Sequence, residues 1–537
     1  MPAPPDAPLA GVTASTDETI ERLIGEVRPL LAKVVASAKQ SEENRLAAAE
    51  LYMQGPKLPT AEEYLELARS VENGPVLATI LQRAAIVKGA AIPLLKSKLD
   101  SAEPLVVAAA IEGLAEIGAD EGRAGLLPLL SHPSPIVRRS AAAAAGKLKE
   151  NEAREKLIKL TADAHLKVRA AALGSLLLMD DPRATEQAVA ALADAETQVV
   201  AMKYLCELGS FEHSAAVIEA AKRTPSTEIL STAVPALTAW QQRKGVTVEK
   251  QAEMERGIAE IQGLSGSLIR WRSSSRYLFA TGTEGRLKLI AKAGGNLAET
   301  TISVSEPTVV EFLASSSGPL EVKLDDKSIY KRDKLQDFRV DSDRFTATLV
   351  AGENRLSIQL MSLNAFPDEF HLRFRRKSAT AAHEKLIAAA LARSGNVEQG
   401  QKVLQNLEKS NCLKCHRVGN LGEKTGPELT GLGSRFSRIY IAESILDPNR
   451  TIAPSFGTLV VRLDSGQVLS GIKIAETENF LTLVDNQAQK HVLNKADIEE
   501  QKTSPLSTMP EGLEKKLSEN EFVDLVAYLA SLKETKP

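Results

Sequence analysis

The stretch IVRRSAAAAAGKL, residues 136–148, sets the reading of the chain because it comes back. KVRAAALGSLLL (167–178) puts Val168 where the first stretch puts Val137, and LVVAAAIEGL (105–114) puts Val106 there, each step being 31 residues. QVVAMKYLCEL (198–208) and ILSTAVPAL (229–237) continue it with Val199 and Leu230. Seven residues ahead, Leu99, Leu130 and Leu192 mark a preceding helix in three of the five copies. Three positions on, Ala109, Ser140, Ala171 and Ala233 are small enough to let paired helices approach, while Met202 breaks that run. A two-helix unit of this size cannot bury its apolar face alone, so neighbours stack into an α-solenoid.

The V-R-x-A-A signature resembles HEAT-type repeats, although the step is shorter than the roughly 40–47 residues usual for that class. The resemblance implies HEAT-like repeats over 17–263, with helical segments at 17–37, 42–54 and 61–70 as the cap. Such an array serves either as a curved docking surface or as a spacer. Cys206 falls in its helical pattern and reads as a small buried hydrophobe.

From residue 264 the period changes. GRLKLIAKA, TVVEFLASS, LEVKLDD, RFTATLVAGENRLSIQLM and EFHLRFRRK alternate apolar and polar residues, with Gly, Asp, Asn and Ser between them. This predicts a β-sandwich over 264–378. TVVEFLASSSGPLEVKLDDKSIY and FTATLVAGENRLSIQL resemble the jelly-roll modules attached to carbohydrate-active proteins, which implies carbohydrate as a ligand. Trp271 and Tyr277 are the aromatics available for it, or else part of the core.

Composition bounds the rest. At 537 residues, 43% hydrophobic and 25% charged, the chain is too long for one core, so several domains are expected. A net charge of -3 with no basic block gives no reason to expect nucleic acid or a membrane surface. No stretch approaches the roughly 18 apolar residues of a membrane span. Residues 1–16, MPAPPDAPLAGVTAST, have neither a basic nor an apolar signal region, and read as a disordered leader of the kind left when a signal or anchor is removed.

The chemistry lies in SNCLKCHRV, 410–418. Two of three cysteines, Cys412 and Cys415, stand there with His416 directly behind. C-x-x-C-H is the attachment signature of a c-type haem. Thiols three residues apart on one turn can each add to a vinyl group, and the histidine that follows then reaches the iron. A structural zinc site needs four ligands, and no further cysteine is near. A thioredoxin-like C-x-x-C belongs at a strand–helix junction in a βαβ unit, and none is visible. Downstream of the motif stands one methionine, Met509, in TSPLSTMPEGL, a turn-flanked thioether suited to the sixth position. His491, in QKHVLNK, is the competitor, but it sits in a predicted strand and is expected to face solvent; an open sixth position is the third option. Met/His ligation raises the potential and closes the iron to substrates, favouring electron transfer.

NVEQGQKVLQNLEKS leads into the motif, KTGPELTGLGSRF follows it, and SENEFVDLVAYLASLK, capped by Ser518 with Glu521, closes the chain. Together they resemble class I cytochrome c. The resemblance implies that the Pro427 carbonyl accepts a hydrogen bond from His416 Nδ1, leaving Nε2 for iron. Arg435 and Arg438, in GSRFSR, are then either partners of the haem propionates or solvated arginines. About fifty residues of strand pattern precede Met509. With that insert, CHRVGNLGEKTGPELTGLGSRFSRIYIAESILDPNRTIAPSF and SPLSTMPEGL resemble the haem-binding domain of Planctomycetes and Verrucomicrobia. That domain commonly follows HEAT-like repeats, and many members also carry a sugar-dehydrogenase-like β-propeller. The sequence shows no propeller, so the resemblance implies the electron-accepting end of such a system.

The expected architecture is thus multidomain: leader 1–16, α-solenoid 17–263, jelly-roll-like β-sandwich 264–378, and a mainly-α cytochrome c domain 379–537 with a β-insert at about 456–502. The expected function is that of an exported, periplasmic monohaem c-type cytochrome carrying one haem c with its iron. It would take electrons from a donor dehydrogenase and pass them to an acceptor, more a carrier than a catalyst. The alternatives are a peroxidase-like haem enzyme with a displaceable sixth ligand, and a glycan- or protein-binding scaffold with an accessory cytochrome.

Overall fold

The structure is a computed structural model and describes residues 27–54, 58–118, 123–273, 278–280, 286–289, 296–360, 368–378, 380–450, 452, 456–476, 480–504 and 506–533. The expected leader and Tyr277 lie outside these residues. The chain forms two compact units, Met1–Ala188 and Val189–Pro537. Among the described residues no helix is long and apolar enough to cross a membrane.

The first unit is helical. The helices Pro104–Ile117, Pro135–Lys147 and Leu166–Leu178 start at the 31-residue step, two of them with proline in the first turn, where no intrahelical N–H is needed. Val106, Val137 and Val168 are all buried, so the repeated position is the core position. The arginine of the V-R signature has a purpose in the packing. Arg138 forks onto Asp163 with Nε–Oδ2 at 2.8 Å and Nη2–Oδ1 at 3.0 Å, and its Nη1 donates to the carbonyls of His132 and Pro133. One guanidinium therefore ties three successive segments together. Ser175 Oγ donates to Ala142 O at 2.7 Å between neighbouring helices.

The second unit begins with further helices, including Ala195–Leu208, Thr227–Gln241 and Val248–Ser265. Leu230 is buried as expected, but the copy at Val199 slips by one position: Gln198 is buried and Val199 only half so. Met202 is fully buried, so the larger side chain fills its site rather than breaking the row. Cys206 is half-buried, and desolvation pushes its thiol up to about 12.

Helix Val248–Ser265 runs two residues past the expected boundary and is stitched to the strands by Gln262. That buried side chain accepts from the backbone N–H of Ile269 and Arg270 (2.8 and 2.9 Å) and donates to Thr300 Oγ1 and Thr301 O. Among the described residues ten strands follow: β1 Arg270–Ser273, β2 Leu278–Ala280, β3 Arg286–Leu289, β4 Asn296–Val304, β5 Thr308–Ser316, β6 Leu320–Leu324, β7 Lys327–Arg332, β8 Asp343–Leu349, β9 Gly352–Leu360 and β10 Asp368–Arg376. They form antiparallel sheets of order β2-β1-β4-β9-β6-β7 and β3-β10-β5-β8. Side chains of both sheets share one core, with Trp271 edge-on to Phe370 at 5.2 Å between ring centroids. Trp271 is fully buried and its indole N–H donates to Leu268 O at 2.9 Å, which closes that ring to any sugar.

The C-terminal region packs the helices Ala381–Ala392, Val397–Gln405, Arg438–Leu446 and Glu519–Ser531 around Phe522, Leu525, Val526 and Leu529. The capping box expected at Ser518 and Glu521 is present. Gly400 lets two helices cross at close range, since a Cβ there would lie 2.0 Å from Asp524 O. Between residues 458 and 504 stand β13 Thr458–Leu463, β14 Val468–Glu476, β15 Phe480–Val484, β16 Lys490–Asn494 and β17 Ile498–Ser504, after the two-residue pair β11 Arg417–Val418 and β12 Leu421–Gly422. The five form an antiparallel sheet of order β16-β15-β14-β13-β17, with Gly466 at positive φ (82°) in the first hairpin. Residues 477–479, in the second expected turn, are outside the described set.

The ten-stranded part and the C-terminal region are joined by a buried ion cluster. Arg375 of β10, 4% exposed, bonds Glu311 at 2.7 Å, Glu384 at 2.6 and 2.8 Å and Glu443 at 3.3 Å, while Arg450 meets Glu443 at 2.7 Å. Leu313 of β5 lies in the same core as the C-terminal helices.

Candidate functional site

The second unit contains a cavity of about 1940 Å³ whose wall includes Cys412, Cys415, His416, Pro427, Arg435 and Met509. The structure therefore brings the six residues singled out from sequence onto one cavity, although a five-stranded sheet separates His416 from Met509 along the chain. His491 is not in the wall.

Locally the motif folds as a single tight turn. Asn411 takes a left-handed conformation (φ 56°), a 3₁₀ turn spans Cys412–Lys414, and the N–H groups of Cys415 and His416 both donate to Cys412 O, at 3.2 and 2.9 Å. Side chains at 412, 415 and 416 are thereby fixed around one turn. The His416 ring is oriented by the next segment: Nδ1 lies 2.8 Å from Pro427 O. A carbonyl can only accept, so Nδ1 carries the hydrogen and Nε2 keeps its lone pair. Burial lowers the histidine pKa, against the opposing pull of that hydrogen bond, so the ring is neutral. Gly426 allows this closeness. A Cβ at Gly426 would sit 2.9 Å from His416 Cε1 and 3.0 Å from Nδ1, tighter than the backbone and ring tolerate. The Gly426 N–H also donates to Cys415 O at 2.7 Å, closing the segment back onto the motif.

All cysteines are free thiols. Burial raises the pKa of Cys412, and burial together with the charge of Asp485 raises that of Cys415, so both sulfurs stay protonated at neutral pH. Among the described residues no group of three or more His, Cys, Asp or Glu side chains is placed to hold a metal ion, so the two thiols and His416 do not form a zinc-type cluster.

The two arginines bond to backbone carbonyls. Arg435 is exposed and its Nη2 donates to Glu428 O at 2.8 Å. Arg438 donates to the carbonyls of Ser394 and Arg393 at 3.1 and 3.0 Å, and its Nε is buried without a partner. Both arginines line the cavity. His491 does not point freely to solvent. It is half-buried in β16, with Nε2 2.7 Å from Asp485 Oδ2. Its role is to hold the 485–489 turn, whose residues reach the cavity wall beside Cys415.

Sequence reasoning missed that turn, and also the contribution of the ten-stranded part. Asp341, His371 and Arg373 line the cavity, with Asp341 2.8 Å from His371 Nε2 and 2.7 Å from Arg373 Nη2. These residues lie on long-range pairings that no local pattern reveals.

Comparison with known proteins bears on the helical part. Residues 92–177 and 123–209 match the family model described as HEAT repeats, so the chain contains HEAT repeats. No curated protein matches it. Among solved structures, the CpcE–CpcF phycocyanin lyase complex of Nostoc is similar at 15% identity and TM-score 0.28, over 48% of this chain and 98% of that one. A β-glucosidase from Kluyveromyces marxianus is similar at 14% identity and TM-score 0.18, over 26% of this chain and 20% of that one. A Podospora anserina mannanase is similar at 13% identity and TM-score 0.12, over 23% and 37% of the respective chains.

Proposed function

We propose that this protein is an exported monohaem c-type cytochrome, its C-terminal region a class I cytochrome c-like domain with a β-insert, attached to HEAT repeats and a jelly-roll-like sandwich. The observation that carries the reading is the hydrogen bond from His416 Nδ1 to Pro427 O in the wall of a cavity that both thiols also line. The residues fit the group. The cavity exceeds the roughly 300–1,000 Å³ of ordinary small-molecule pockets. The donors are a neutral imidazole nitrogen and a thioether, a pair suited to haem iron and unsuited to a hard cation.

Bound there, haem would supply a one-electron Fe(III)/Fe(II) couple. Cys412 and Cys415 would hold it covalently through thioether bonds. His416 is preset by Pro427 and Gly426, so its Nε2 would need no reorientation to serve as an iron ligand. Met509 offers the other from the far side of the insert. Arg435 and Arg438, both in the cavity wall, would be the groups to meet a propionate carboxylate. With His416 and Met509 both held by the protein, the chain would act as an electron carrier between a dehydrogenase and a downstream acceptor. The HEAT repeats would dock those partners.

The test is a pyridine haemochrome spectrum of the protein exported together with a cytochrome c maturation system. A c-type spectrum that disappears in Cys412→Ser/Cys415→Ser is expected; a colourless wild-type protein refutes the reading.

A further inference from the structure

The loop that carries Met509 is held at both ends by one side chain from another segment. Asn449 follows helix Arg438–Leu446, and its Oδ1 accepts from the Ser507 N–H at 2.7 Å. Its Nδ2 donates to Glu511 Oε1. The two partners lie two residues before and two after Met509. Because one neighbour is an N–H and the other a carboxylate, the amide can point only one way. Inside the bracket the loop is tightened further. Ser507 Oγ accepts from the Met509 N–H at 3.1 Å, and the buried Thr508 hydroxyl meets Thr458 Oγ1 of β13 at 2.7 Å. Met509 is thus fixed to the end of a helix and the start of the insert at once.

We infer that Asn449 is the positioning residue for Met509, its amide fixing where the thioether stands in the cavity wall. The inference rests on Met509 being the sixth ligand. Without the bracket the methionine loop swings open, and the iron becomes reachable. Each hydrogen bond of this kind shifts such an equilibrium by about tenfold, so removing both in Asn449→Ala raises the open population by about a hundredfold.

Carbon monoxide binding to the ferrous protein reads this directly, with the reduction potential and the thermal stability of the haem-free protein measured alongside. The wild type is expected to exclude carbon monoxide. Asn449→Ala should bind it about a hundredfold better and show a lower potential. Asn449→Asp keeps the bond to Ser507 but sets carboxylate against carboxylate at Glu511, and should also open. The exchange Asn449→Asp/Glu511→Gln restores a donor to face the new carboxylate and should return carbon monoxide exclusion, which a role in folding alone would not predict. If Asn449→Ala excludes carbon monoxide as the wild type does, or the double exchange fails to restore exclusion, the inference is overturned while Met509 ligation stands. If the wild type itself binds carbon monoxide freely, Met509 is not the ligand and both fall.

Discussion

Among the described residues, replacing Arg375 by methionine removes the one cation that pairs with both Glu311 and Glu384 in the buried cluster. Arg375 is 4% exposed, and the side chains of Glu311, Glu384 and Glu443 are 14%, 23% and 9% exposed. Burial alone would lower the guanidinium pKa, but the surrounding carboxylates outweigh it and keep the group fully charged. Burial would likewise raise the Glu384 pKa, yet Arg375 and the Ser378 N–H hold it below the usual carboxylate range. After the substitution Glu443 keeps Arg450 and Glu384 keeps the Ser378 N–H, whereas Glu311 loses its bond to Arg375. Breaking a buried pair from one side costs about 3–5 kcal/mol, against roughly 0–1 kcal/mol for an exposed pair, and this site belongs with the former. The sign of the pH dependence follows. Glu384 has a lowered folded-state pKa, so its contribution is present above the unfolded value of about 4.3 and is lost as pH falls through the lower folded value. In Arg375→Met the stranded carboxylates gain by protonation, so the gap between variant and wild type should narrow on acidification. Urea denaturation of the full chain, near neutrality and at about pH 4.5, measures both. A loss under about 1 kcal/mol, or a gap that widens in acid, refutes the account. Arg375→Lys should rescue little, since an ammonium cannot fork onto Glu384.

Gly426→Ala drives a methyl group against the His416 ring and should cost about 1–3 kcal/mol, as overpacking does, while weakening the bond to Pro427; nitrogen-15 shifts of the His416 imidazole would report it, and an unmoved Nδ1 signal would count against the proposed contact. Arg138→Met strands Asp163, whose lowered pKa reflects the Arg138 bonds working against burial, so about 2–4 kcal/mol should be lost near neutrality and less in acid; thermal unfolding at two pH values checks it. Ser518→Ala removes one half of a capping box and should cost about 1 kcal/mol, readable by denaturant titration, with Ser518→Asp close to wild type.

Legibility in the sequence followed the range of the interaction responsible. The HEAT repeats were readable because each step repeats a local pattern, and Val106, Val137 and Val168 duly point inward. The frame slip at Gln198 was not, since a single polar residue gives no sign that neighbouring helices will bury it. Among strands, β8 and β9 alternate cleanly and were found, and β5 was found from its apolar run. β4 and β7 were missed because neither alternates: NLAETTISV is interrupted by the polar run Glu299–Thr301, and KSIYKR sets Ile329 beside Tyr330. The six site residues were legible for different reasons. Cys412, Cys415 and His416 form a contiguous motif, Pro427 came from a resemblance, and Met509 from the scarcity of methionine downstream. Arg435 and Arg438 were named together from GSRFSR, with no means of seeing that each would bond backbone carbonyls. Asn449 had no signal at all. An asparagine in a helix-ending DPN run reads as turn chemistry, and its bond to Ser507 spans fifty-eight positions.

Leu313 has a consequence for how the chain can be divided. It belongs to a strand of the ten-stranded part but is buried among Ile387, Ile439 and Phe522, so the last region does not own all of its hydrophobic interior. The change of sequence pattern near residue 379 is a boundary of composition and not of cohesion. A fragment cut there would expose an apolar socket and strip Glu384 and Glu443 of Arg375. Excision at that point would yield a sticky piece whose stranded carboxylates favour acid, so these two parts of the chain behave as one inherited block.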